Sequence, residues 1–92
     1  MEKRNLLEKL AQAAGLETEP LPGLPLIELS GNRRVLIENH QGVSCYASER
    51  ICVRVRGGAI EICGQGMALS CISRERLILT GRIEAVHLLW GA

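Results

Sequence analysis

Two hydrophobic rhythms divide the chain. Within residues 2–14, Leu6, Leu7, Leu10 and Ala14 recur at helical spacing, with Lys3, Glu8, Lys9 and Gln12 on the other faces. The pattern predicts a short amphipathic helix within residues 1–16, with Asn5 available as an N-cap and Gly15 as its stop. A helix this short is marginal alone in water, so its Leu6 and Leu10 stripe must dock on its own domain, a second copy or a partner. Residues 17–25, ETEPLPGLP, hold all three prolines and read as an extended linker.

From residue 26 the apolar positions alternate with polar ones. Runs at 26–30, 34–40, 42–47, 51–56, 59–63, 67–72, 76–80 and 82–90 are punctuated by Gly31-Asn32, Gly57-Gly58, Gly64-Gln65-Gly66 and Gly81. Short alternating runs with turn residues between them predict an all-β domain over residues 26–92, built of seven or eight short strands. No βαβ crossover fits, which excludes parallel α/β folds. A small sandwich is the preferred architecture. A β-solenoid or roll with glycines at its corners is the alternative.

One hairpin can be placed residue by residue. Gly57-Gly58 suits a two-residue turn, because both glycines tolerate positive φ. A turn centred there sets Val55 opposite Ile60, Arg54 opposite Glu61, Val53 opposite Ile62 and Cys52 opposite Cys63. Val53, Val55, Ile60 and Ile62 then share a core face, and Arg54 and Glu61 form an ion pair on the outer face. Facing cysteines lie about 5.5 Å apart at Cα, which permits a disulfide. A reduced pair is the expectation for a cytoplasmic chain. The antiparallel pairing favours the sandwich over the solenoid.

Composition removes several function classes. With 11 Lys+Arg against 10 Asp+Glu, the formal charge of +1 offers nothing to draw nucleic acid or an anionic membrane. Tyr46 and Trp90 are the aromatic residues, too few platforms for a single-strand binder. No stretch reaches the ~20 apolar residues of a membrane span. Glu8 and Lys9 interrupt the first apolar positions, so neither a secretory signal nor direct membrane insertion is expected. The expected location is the cytoplasm.

Catalysis has no visible carrier. Cys45, Cys52, Cys63 and Cys71 form no C-x-x-C pair, and with His40 and His87 they show no ligand-like spacing. Ser44, Ser70 and Ser73 lie in no nucleophile elbow, and Gly64-x-Gly66 precedes a strand and reads as a turn. Arg33, Arg34, Arg54, Arg56, Arg74, Arg76 and Arg82 are interspersed with Glu49, Glu61, Glu75 and Glu84, which indicates a mixed solvated surface. No catalytic residue, metal ligand or cofactor site is assigned.

The last run differs from the rest. Val86-His87-Leu88-Leu89-Trp90 is apolar on both faces, as a central strand is, or as an edge awaiting a partner is. A tryptophan where a chain normally frays favours a contact. Leu88 and Trp90 therefore join Leu6 and Leu10 as candidate interface residues.

One ordered set of phrases resembles a known family. Ile37-Glu38-Asn39-His40-Gln41-Gly42-Val43 is preceded by Leu24-Pro25-Leu26-Ile27, and Leu77-Ile78-Leu79-Thr80-Gly81-Arg82-Ile83 follows downstream. Together they are similar to the YabP/YqfC family of sporulation proteins of endospore-forming bacteria, nearest its YqfC branch, over residues 20–90. The resemblance implies a small soluble protein without enzymatic activity, acting in the mother cell in connection with the spore envelope. It also implies a membrane protein encoded alongside as partner, and a location peripheral to the forespore membrane through that partner. Of the family motif, Ile37, Glu38, Asn39, His40 and Gly42 are matched, with no catalytic role to carry over. Asn39 and Gly42 are expected to shape a tight turn, with Glu38 and His40 outward. The four cysteines and Trp90 depart from the family's usual composition.

The leading expectation is a non-enzymatic protein-binding or assembly factor of sporulation, with a protein partner or as a homo-oligomer and without cofactor. A small ligand- or nucleic-acid-binding β domain is the second class, disfavoured by charge and aromatic content. A thiol redox or metal module on Cys52 and Cys63 is the third.

Overall fold

The computed structural model describes residues 22–91. The predicted N-terminal helix, with Leu6 and Leu10, lies outside them, as do residues 17–21 of the linker. Six strands follow one another: β1 (Leu26–Ser30), β2 (Arg34–Glu38), β3 (His40–Tyr46), β4 (Arg50–Val55), β5 (Gly58–Ile72) and β6 (Arg76–Trp90). They form one sheet in the order β1-β2-β6-β5-β4-β3, with every pairing antiparallel. The all-β class holds. The strand number is six rather than seven or eight, antiparallel neighbours throughout overturn the solenoid, and a single folded sheet replaces the sandwich of two.

Glycine accounts for the difference in strand number. The runs at 59–63 and 67–72 are two halves of β5, and those at 76–80 and 82–90 are two halves of β6. Gly64, Gly66 and Gly81 mark bends within these strands, where the β5–β6 ladder shifts register between Cys63 and Gly64 and between Gln65 and Ala68. A Cβ on Gly64 would fall onto the carbonyl oxygen of Arg82. One on Gly81, whose φ is +143°, would meet Met67 Cα at 2.7 Å. Only residues without a side chain let the two backbones approach this closely, and the register shifts bend the sheet at that point.

Folding the sheet over makes the core. Val35 and Ile37 of β2, Ile51 and Val53 of β4, Ile60 and Ile62 of β5, and Leu77 and Leu79 of β6 are fully buried in one cluster. They occupy alternate positions, so the period that predicts the strands also supplies their buried face. β3, last in the sheet order, returns to the C-terminal half of β5. There the Leu69 N–H donates to the Tyr46 hydroxyl at 3.1 Å, and His40 reaches the Ser73 carbonyl oxygen at 2.8 Å. The β3–β4 loop fastens the bend, because the N–H groups of Gly64 and Met67 donate to the carbonyls of Glu49 and Ser48 at 3.1 and 3.0 Å.

The β4–β5 hairpin keeps its predicted faces but not its predicted register. Arg56 and Gly57 (φ +90°) make the turn, so Val55 pairs with Gly58, Val53 with Ile60 and Ile51 with Ile62. Gly58 lies in the strand because Trp90 of β6 presses on it; a Cβ there would sit 2.7 Å from Trp90 Cα. The two-residue slip leaves Val53, Val55, Ile60 and Ile62 on the core face, since side chains alternate with period two. Outside partners do change. Glu61 faces Cys52, and Cys63 faces Arg50. Arg50 rather than Arg54 pairs with Glu61, and Cys52 and Cys63 no longer face each other; all four cysteines are free thiols, in keeping with the reduced state expected of them.

Candidate functional site

The family-like phrase forms a clasp at the crossover from β2 to β3. Ile37 is fully buried, and Glu38 accepts two hydrogen bonds from the facing Arg76 at 2.7 and 3.2 Å. That carboxylate holds the Arg76 guanidinium more firmly protonated than usual. Asn39 takes a left-handed φ of +63°, which asparagine tolerates better than most residues. Its backbone N–H donates to the Glu75 carbonyl at 2.6 Å, and its amide donates to the Leu24 carbonyl at 2.9 Å.

His40 closes the clasp. The Gly42 N–H donates to its Nδ1 at 3.1 Å, so the neutral ring carries its hydrogen on Nε2 and donates to Ser73. Asn39 makes the bend between β2 and β3, whereas Gly42 (φ +117°) lies inside β3 at its register shift, so the expected tight turn is instead a crossover between strands that are not sheet neighbours. Glu38 and His40 do not project freely outward, because each is tied to the β5–β6 end of the molecule. Their partners Arg76 and Ser73, like the Glu75 that accepts from Asn39, lie more than thirty residues away and carry no local signal.

A second feature lies at the end of β6. Its first half pairs with β2 only as far as Thr80, and the Ile83 N–H makes a last bond to the Asn32 carbonyl at 2.7 Å. Beyond that point Glu84 is skipped at a register shift and residues 85–90 pair with β5 alone, leaving the other edge of 84–90 without a strand among the described residues. Residues 86–90 are therefore an edge among the described residues and not a central strand; β6 is central only over its first half, 76–80.

Val86, Leu88 and Trp90 share the face of Ile62, Ile60 and Gly58. Val86 packs on the core, but Leu88 and Trp90 overhang it and remain 61% and 46% exposed. Beside the open edge lies a shallow cleft of about 340 Å³ between Leu29, Gly31 and Asn32 on one side and residues 83–86 on the other. Leu29, itself exposed, is not distinguished by the alternating pattern.

A third feature occupies the outer face. Across the sheet, Cys45 faces Cys52, Cys52 faces Glu61, and Glu61 faces His87. Glu61 accepts from Arg50 Nε at 2.5 Å through one oxygen and meets His87 Nδ1 at 3.0 Å through the other. The hydrogen bonds from Arg50 and then His87 hold its carboxyl below the usual carboxylate range. Burial, with the neighbouring Cys45 thiol, pushes the Cys52 thiol up to about 11. Ion pairs also join Arg76 to Glu38 and Arg82 to Glu84, so several of the arginines lie beside carboxylates on a mixed surface.

The described residues thus form a small antiparallel β domain, clasped at the Ile37–Gly42 crossover and with one edge of its last strand unpaired. Residues 25–90 match the YabP family, and the chain belongs to it. It is similar to the uncharacterized protein YqfC of Bacillus subtilis (strain 168), 25% identical over 85 residues that cover 92% of this chain and 91% of that one. No solved structure matches it.

Proposed function

We propose that this chain is a non-enzymatic assembly factor of spore formation that binds a protein partner by adding an extended segment to the open edge of β6. Membership of the YabP family and the likeness to YqfC support the sporulation setting. The observation that carries the binding mode is the edge at 84–90, unpaired beside the Leu29 cleft and ending in the uncovered Leu88 and Trp90. An open edge offers backbone donors and acceptors in register, and apolar side chains beside it supply the specificity of strand addition. The partner expected is the membrane protein encoded alongside, which would hold this chain at the forespore membrane from the mother-cell side. No helix of the described residues is long and apolar enough to cross a membrane.

Co-expression with that membrane protein, followed by purification in detergent, tests the reading. The two proteins should co-purify, and Leu88→Lys or Trp90→Ala should abolish the association while leaving the fold intact. Removing residues 1–16 asks whether Leu6 and Leu10 contribute a second contact. A soluble homo-oligomer that ignores the membrane protein would replace this reading with a self-assembling structural protein.

A further inference from the structure

We infer that Glu61, Cys63 and His87 form a binding site for a single zinc-class transition-metal ion on the outer face of the sheet. The three side chains come from neighbouring strands: Glu61 stands directly opposite His87, and Cys63 follows two residues on, on the same face. One ligand atom from each lies within 4.8 Å of the other two. His87 Nδ1 and Glu61 Oε1 are 3.0 Å apart. A tetrahedral zinc with bonds of about 2.0–2.3 Å separates its ligand atoms by about 3.3–3.6 Å. The imidazole–carboxylate pair is thus close to an edge of that tetrahedron, and the thiol, within 4.8 Å of both, need close in by no more than about 1.5 Å.

The donor set selects the metal. Thiolate and imidazole prefer zinc, cobalt or copper over magnesium or calcium, which take oxygen ligands. Arg50 serves as an outer partner: it holds Glu61 Oε2, orients the carboxylate and leaves Oε1 for the ion. Cys52 is buried and stands outside this group of three, so it is no alternative ligand. Binding releases the Cys63 thiol proton to solvent, and the neutral His87 ring moves its hydrogen from Nδ1 to Nε2, which frees the Nδ1 lone pair for the ion. A fourth position faces solvent, open to water or to a donor from another molecule.

Sequence spacing concealed the site, because 24 residues separate Cys63 from His87 and only the β5–β6 ladder unites them. The site stands independently of the docking edge. It is on the opposite face of β6 from Leu88 and Trp90.

Titration of the reduced, metal-free full chain with Co²⁺ alone, followed by competition with Zn²⁺, tests it. One equivalent should produce thiolate-to-cobalt charge-transfer absorption and tetrahedral visible bands, both discharged by zinc. Cys63→Ser should abolish the charge-transfer band. His87→Ala should weaken cobalt binding about tenfold or more. Cys71→Ser, a control on an exposed cysteine, should leave both signals intact. Because Cys63 and His87 lie outside the core, unfolding of metal-free Cys63→Ser should match that of the parent chain, and His87→Ala should lose only the small contribution of its exposed contact with Glu61. Absence of the bands in the parent chain, or their survival in Cys63→Ser or at full affinity in His87→Ala, would overturn the site.

Discussion

His40 Nε2 lies 2.8 Å from the carbonyl oxygen of Ser73, joining the start of β3 to the β5–β6 turn across 33 residues of chain. The same ring accepts the Gly42 N–H at Nδ1, so one side chain sets both the local turn and a long-range closure. The clasp gives the family phrase a structural purpose: it fixes where the chain leaves β2, and hence how the sheet closes on its core.

Replacing His40 with alanine should therefore cost stability. Two hydrogen bonds of this kind contribute about 1–3 kcal/mol together. Urea unfolding should show a lowered midpoint with an unchanged slope, and His40→Gln should lose less because its amide can still donate. An unchanged midpoint in His40→Ala would dismiss the clasp.

Gly64 and Gly31 make a paired test of the bend. A Cβ at Gly64 collides with the backbone of β6, and Gly64→Ala should destabilise the fold by about 2–4 kcal/mol. Gly31, at φ +55°, has nothing within 4 Å of its Cβ position, so Gly31→Ala should cost only left-handed strain of about 1–2 kcal/mol. Thermal unfolding of the two variants should separate them clearly. Equal losses would mean that backbone crowding does not govern the bend.

The cysteines should differ sharply in reactivity. Cys71 is exposed and should react with an aromatic disulfide reagent at once, whereas Cys52 should react only on unfolding. The Cys52 thiol is pushed up to about 11 from an ordinary value of 9.0, so the folded chain keeps a proton that the unfolded chain releases. Its stabilising effect is complete below about pH 9 and is lost as pH rises toward about 11. Cys52→Ala should remove that alkaline loss from a urea midpoint measured against pH.

Glu61 governs the acid side. Its carboxyl is held below its usual range by Arg50 and then His87, so the folded chain gives up a proton that the unfolded chain retains. The contribution is present above the ordinary carboxylate value of 4.5 and disappears as pH falls through the lowered one. Glu61→Gln should flatten this part of the stability profile. A profile identical to that of the parent chain would remove Glu61 from the account.

Much of this architecture was legible in the alternation of apolar residues. Val53, Val55, Ile60 and Ile62 face the core as predicted, because burial of one sheet face forbids a one-residue slip. The pattern is blind to a slip of two, which is why it sets Glu61 opposite Arg54 when the folded chain pairs it with Arg50. Gly64 and Gly81 resembled turns because the same residue serves a turn and a tight backbone crossing. Leu88 and Trp90 were recognisable as apolar on a strand that did not need them. His40's tie to Ser73 and the meeting of Cys63 with His87 depend on which strands become neighbours, and local sequence carries no trace of that.

The binding edge admits the most direct test. In a strand, alternate N–H groups point to opposite sides, so a partner segment added to β6 should slow exchange at every second amide within residues 84–90. Amide hydrogen exchange of the chain, alone and in complex with the co-purified membrane protein, reads this directly. Protection confined to that edge, and absent in Leu88→Lys, is the predicted result. Unchanged exchange along 84–90, with new protection on the outer edge of β1 or β3, would contradict it.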